Sequence, residues 1–206
     1  MPKALLVIDV QNDFCPGGAL AVPHGDEVVS PCNVLISEFS LVVLTQDWHP
    51  PGHRSFASSH PGKSAFEAIT LPYGKQVLWP DHCVQGSPGA ALHRALHGHR
   101  ARWVVRKGQD PAVDSYSAFQ ENDRRTPTGL AGALHELGVG EVVICGLATD
   151  YCVRYSAIDA IEAGFRATVV EEACRGIDLD GGVAAAWDAM AQCGVRRVER
   201  VRDVHP

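Results

Sequence analysis

Five continuous apolar runs of strand length, each followed by a polar stretch or a helical pattern, constrain this chain more than any other feature. They are ALLVIDV (4–10), LVVLTQ (41–46), RWVVRK (102–107), EVVICG (141–146) and RATVVE (166–171). A half-exposed strand alternates apolar and polar residues, so runs without alternation belong to strands covered on both faces. A sixth run, VRRVER (195–200), is shorter and more polar. Helical patterns fall at 26–38, 88–97, 126–138, 150–164 and 181–193. The third has Thr126 as a cap, Pro127 at the first helical position and Gly138 at its end, and the fourth stops at Gly164. This alternation predicts an α/β fold: a doubly wound, mostly parallel sheet of about six strands with helices on both faces.

One segment breaks the rhythm. Residues 47–90 are rich in Pro, Gly, His and Ser (DWHPPGHRSFASSHPGK, WPDHCVQGSPG) and show little periodicity. A loop region of that length inside a compact domain usually carries function. The expected organisation is one domain over 1–206 with a functional loop insertion around 47–90.

Composition excludes several classes. The net charge of −6 comes without any Lys/Arg block, which argues against a nucleic-acid partner. The nearest approach to one, Arg94, Arg100, Arg102, Arg106 and Lys107, is scattered over different faces by intervening apolar residues. No stretch approaches the ~18 apolar residues of a membrane span, and the N-terminal MPKALLVIDV lacks the cleavage site of a signal peptide. Seven cysteines, an odd number without a C-x-x-C pair, suit buried thiols and one reactive thiol better than a disulfide framework. A cytoplasmic location is expected.

The polar residues at the strand ends supply the chemistry. In an open parallel sheet, ligands bind beyond the carboxyl ends of the strands. Asp9 ends the first run, Asp47 and His49 follow the second, Lys107 ends the third, and Cys152 lies just after the fourth. A thiol at a helix start sits at the positive end of the helix dipole, which favours the thiolate, and nearby amides free of helical partners can bind an oxyanion. The alternative for Cys152 is a small apolar residue packed on the sheet. A lone carboxylate in an apolar strand is costly, so Asp9 either accepts loop hydrogen bonds or works as a base; Lys107 is either solvated or a partner of both. Together they suit nucleophile, proton shuttle and stabilising charge. Asp47 and His49 with the distant His82, and with His53 nearby, have a donor set suited to Zn, Fe or Mn. With ten histidines in the chain, chance clusters are easy, and His93, His97 and His99 are read as solvated.

Five ordered blocks resemble one family: VIDVQNDFCPGGALAV, TQDWHPPGHRSFASSHPG, LWPDHCVQGSPGA, VRKGQDPAVDSYSAF and VICGLATDYCVRYSAIDA. They are similar to the signature blocks of nicotinamidases, within the isochorismatase-like cysteine hydrolases, and run from about Leu5 to Ala173. The resemblance implies a catalytic triad of Asp9, Lys107 and Cys152. It implies one divalent transition metal, zinc first and iron or manganese after it, held by Asp47, His49 and His82. His53 is either a fourth ligand or a group behind the others. It further implies a ring pocket shaped by Phe14, Leu20, Trp79, Tyr116 and Tyr151, and an oxyanion hole at Ala148 and Cys152 beside a cis Leu147–Ala148 bond. The activity implied is hydrolysis of nicotinamide to nicotinate and ammonia, through a thioester and in the service of NAD salvage. A sibling amidase acting on a carbamoyl or ureido substrate is the alternative. The isochorismatase branch itself lacks the nucleophilic cysteine. The sequence leaves the oligomeric state, monomer or homo-oligomer, open.

Overall fold

The computed structural model describes residues 1–206. In chain order the strands are β1 (Lys3–Ile8), β2 (Val42–Asp47), the pair β3 (Ala68–Leu71) and β4 (Gly74–Val77), then β5 (Trp103–Lys107), β6 (Glu141–Leu147), β7 (Arg166–Arg175) and β8 (Arg196–Val198). Six of them form one sheet in the order β5-β2-β1-β6-β7-β8. Every neighbouring pair in it is parallel. The continuous apolar runs are explained by this placement: β1 is central, and Ala4 through Ile8 are buried.

Without the hairpin, the six sheet strands follow the order 3-2-1-4-5-6. The chain moves outward one way from β1 and the other way from β6, and right-handed crossovers then put α1 (Val29–Glu38) and α3 (Arg154–Glu162) on opposite faces. Both helices pack against β7, and α4 (Gly182–Gln192) packs on α3 and β8. Where the order reverses, between β1 and β6, the connections diverge and leave a crevice at the carboxyl ends of the strands. Gly146 makes the closing of this seam possible: at φ +114°, a Cβ there would lie 2.1 Å from the Ile8 carbonyl oxygen.

Three expectations need correction. Residues 88–97 form turns, not a helix. Their backbone is drawn onto the loop after β1: Asn12 N–H donates to Ala91 O, Asp13 N–H to Gly89 O, and His93 N–H to Val10 O. The helix expected over 126–138 is α2, Leu130–Glu136 only. Thr126 is held by the Asp123 carboxylate and Pro127 bridges to Gln120, so the helix starts after Gly129. The 47–90 segment is not wholly irregular either, because β3 and β4 pair antiparallel across Pro72 and Tyr73. No helix of the chain is long and apolar enough to cross a membrane.

Candidate active site

Four strand ends meet at the crevice. Asp9 directly follows β1 with φ +46°, a left-handed turn that aspartate tolerates better than most residues. Asp47 and Lys107 are the last residues of β2 and β5 and lie side by side in register. Cys152 sits in a single π-helical turn, Thr149–Val153, between β6 and α3.

Lys107 joins them. Its Nζ lies 2.8 Å from Asp9 Oδ2, donates to Asp47 Oδ1, donates to the Ser115 carbonyl at 3.0 Å, and reaches Cys152 Sγ at 3.4 Å. It is fully buried, which rules out the solvated reading of this lysine. Burial works against its charge, yet Asp47 and Asp9 hold it well above the ordinary lysine value. Asp47 shows the converse: burial opposes its ionisation, but the Lys107 ammonium keeps it well below the ordinary carboxylate range. Burial raises Asp9, with Lys107 opposing. The thiol is also raised by burial, only partly offset by Lys107. Burial thus works against the thiolate that a helix start favours, and Asp9 stands close enough to take the proton as Cys152 attacks.

Asp47, His49 and His82 form a second group beside the first. His49 Nε2 and His82 Nε2 lie 3.7 and 3.9 Å from Asp47 Oδ2. The outward nitrogens are tied down, His49 Nδ1 to Gly108 O at 2.9 Å and His82 Nδ1 to Pro80 O at 2.8 Å. An Nδ1–H donated to a carbonyl leaves the Nε2 lone pair facing Asp47, the arrangement that metal-binding histidines need. Two such nitrogens and one carboxylate, mutually within 4.8 Å, fit a divalent transition metal. Burial lowers His82 to about 4, so its ring stays neutral near pH 7. Gly108, at φ +66°, exists to admit His49: a Cβ there would meet the ring at 2.4 Å.

His53 is not part of this trio. Its ring lies 4.5 Å from that of His49, within a separate group with Asp114. Its Nε2 donates to Asp110 O at 2.8 Å, and its Nδ1 accepts from the Ser55 N–H at 3.2 Å. Both nitrogens are engaged, which puts His53 behind His49.

Between the two groups lies a narrow, mostly apolar cavity. Phe14, Leu20, Trp79, Tyr116 and Tyr151 all line it, with Cys152, Ala148, Asp47 and His82 at its polar end. Trp79 meets Tyr151 edge-on at 4.8 Å, and its Nε1–H donates to Tyr116 Oη at 3.3 Å, so the aromatic wall is fixed by packing and by a hydrogen bond. The Leu147–Ala148 bond is cis, as the resemblance implies. The Ala148 N–H has no acceptor within the protein.

Several residues at the site were not singled out in the sequence. The Gln11 amide accepts from Asp47 N–H at 2.8 Å and donates to Asp47 O at 2.9 Å. It replaces the strand neighbour that β1 no longer offers once the chain turns at Asp9. Asp13 accepts from Ala19 N–H and Cys83 N–H, tying the two loops that carry Leu20 and His82. Asp150 accepts from Ile177 and Asp178 N–H groups and so holds Ile177 in the cavity wall. Thr45 bonds to Asp9. The signal for these was a polar residue inside or just after an apolar run, but nothing local named the partner.

A parallel sheet with a thiol, a carboxylate and an ammonium at its switch point is the frame of an isochorismatase-like α/β hydrolase. The chain belongs to the isochorismatase family: the family model described as Isochorismatase domain matches residues 3–200. It is 52% identical over 195 residues to the nicotinamidase of Acinetobacter baylyi, covering 95% of this chain and 91% of that one. A nicotinamidase/pyrazinamidase structure from Acinetobacter baumanii superposes with a TM-score of 0.96 at 51% identity, covering 98% and 97% of the two chains. A pyrazinamidase of Pyrococcus horikoshii, solved in complex with zinc, matches with a TM-score of 0.78 at 36% identity, covering 97% and 99%.

Proposed function

We infer that the protein hydrolyses nicotinamide to nicotinate and ammonia, with Cys152 as nucleophile, Asp9 as proton shuttle and Lys107 as the charge that steadies both. The observation that carries this reading is the contact of one buried ammonium with Asp9 Oδ2 and Cys152 Sγ, at the foot of an aromatic slot. The 52% identity to a nicotinamidase supports the choice of substrate.

Cys152 Sγ attacks the carboxamide carbon while its proton passes to Asp9. The oxygen of the tetrahedral adduct is stabilised by the N–H groups of Ala148 and Cys152. Asp9 returns the proton to the amide nitrogen, the C–N bond breaks and ammonia leaves a thioester. Water then enters, gives its proton to Asp9 and attacks the acyl carbon. The C–S bond breaks and the thiol regains its proton.

Asp47, His49 and His82 would hold a divalent metal, with zinc favoured by the Pyrococcus relative and iron or manganese as alternatives. Such an ion supplies a Lewis-acid seat for the pyridine nitrogen. Phe14, Leu20, Trp79, Tyr116 and Tyr151 orient the ring by area and edge contacts. The whole chain acts as one unit, with 47–90 bringing the metal donors and Trp79, and it acts in the cytoplasm, where seven free cysteines are stable.

Ammonia release from a panel of nicotinamide, pyrazinamide, benzamide and N-carbamoylsarcosine tests the reading. Nicotinamide should lead, and benzamide, which lacks the ring nitrogen, should be poor. Preference for N-carbamoylsarcosine would move the assignment to a sibling amidase.

A further inference from the structure

β1 stops pairing with β2 near Asp9, and the Asp9 N–H, which a continuing ladder would use, donates instead to Thr45 Oγ1 at 3.0 Å. The same hydroxyl donates to Asp9 Oδ1 at 2.6 Å. Thr45 is fully buried, and its one hydrogen is committed to that oxygen. The other oxygen, Oδ2, lies 2.8 Å from Lys107 Nζ but outside hydrogen-bond alignment, and it is a buried polar atom without a hydrogen-bond partner. One carboxylate oxygen is thus occupied by a donor and the other is left with a free lone pair among Lys107 and the thiol, with Asp9 and Cys152 donor atoms inside 4.8 Å.

We propose that Thr45 is a positioning residue for the hydrolysis, which directs the proton leaving Cys152 onto Oδ2 of Asp9 by keeping Oδ1 occupied. The proposal rests on the triad reading above. A proton on Oδ1 would face the Thr45 hydroxyl hydrogen. A proton on Oδ2 stays on the side of the carboxyl that faces Lys107, where the thiol gives it up and the departing amine collects it. Serine can make both bonds; valine, of the same shape, can make neither.

The test compares Thr45→Val and Thr45→Ser with the parent protein. In Thr45→Val, kcat should fall roughly tenfold to a hundredfold, a fraction of what a whole acid–base group contributes, while KM stays within about threefold. Alkylation of Cys152 by iodoacetamide, which also expels the thiol proton, should slow in parallel. Thr45→Ser should restore both rates to within about threefold. Zinc content should be unchanged in both. An unaffected kcat in Thr45→Val, equal damage from serine, or loss of zinc would each overturn the proposal, the last by making Thr45 a support for Asp47. If Thr45→Val does not fold, Thr45→Ala makes the same comparison. Failure of the parent protein to release ammonia from nicotinamide would defeat the substrate reading alone, since alkylation judges Thr45 without any substrate.

Discussion

Cys152 and Asp9 are each made by burial into something their free side chains are not. Burial works against ionisation of the thiol, so it attacks best while a base stands ready. Cys152→Ala should therefore abolish ammonia release and leave the fold intact, read by circular dichroism and by retained nicotinamide binding; substantial residual turnover would remove the thiol from the mechanism. Asp9 works only when ionised, and burial raises it above the ordinary 3.8. Activity is then present at higher pH and lost as pH falls through that raised value. The acid limb of kcat/KM, which reports the free enzyme, should lie above the ordinary 3.8, and a limb at or below it would contradict the raised carboxyl. These two residues, with Lys107, Asp47 and His49, were legible in the sequence because each stands at or just past the end of an apolar run, whereas His82 was legible as a metal-donor type within the PDH block. Thr45 and Gln11 were not legible as partners: their roles depend on strand register, which brings residues 36 positions apart into contact.

The elements follow the same division. Strands were legible wherever both faces are covered, because burial leaves no polar alternation to misread. The 88–97 segment has a helical pattern, and its backbone nevertheless spends its hydrogen bonds on residues 10–13, a non-local competition that local pattern cannot weigh. The hairpin of β3 and β4 is short and only partly buried, so its alternation is weak. The seam between β1 and β6 depends on a missing side chain. Gly146→Ala would force a methyl to within 2.1 Å of Ile8 O and demand a positive φ of alanine. The expected cost is on the order of 3 kcal/mol, from overpacking and backbone strain together. Urea midpoints of the two proteins measure it; a loss under about 1 kcal/mol would mean that the strands separate there at little expense.

At the scale of the whole molecule, the site has no local home. Its groups come from four strands of a single sheet and from loops tied to one another by Asp13 and Asp150. Unfolding should accordingly be one event: ammonia release, far-ultraviolet circular dichroism and the fluorescence of the four tryptophans should be lost at the same urea concentration. Activity lost well before the other two would divide the 47–90 region from the sheet and break the single-unit reading.

The strand order also sets a schedule for the chain as it is synthesised. β2 covers one edge of β1 early, but the other edge waits for β6, with most of the sequence between them. By then Asp9, Asp47, His49, His82 and Lys107 have all left the ribosome, and only Cys152 has not. The nucleophile is therefore the last of the six to be made, a few residues behind the strand that covers the second edge of β1. The triad therefore cannot assemble until β1 has both of its neighbours, because the segment that delivers the sulfur follows directly on the strand that supplies the second one.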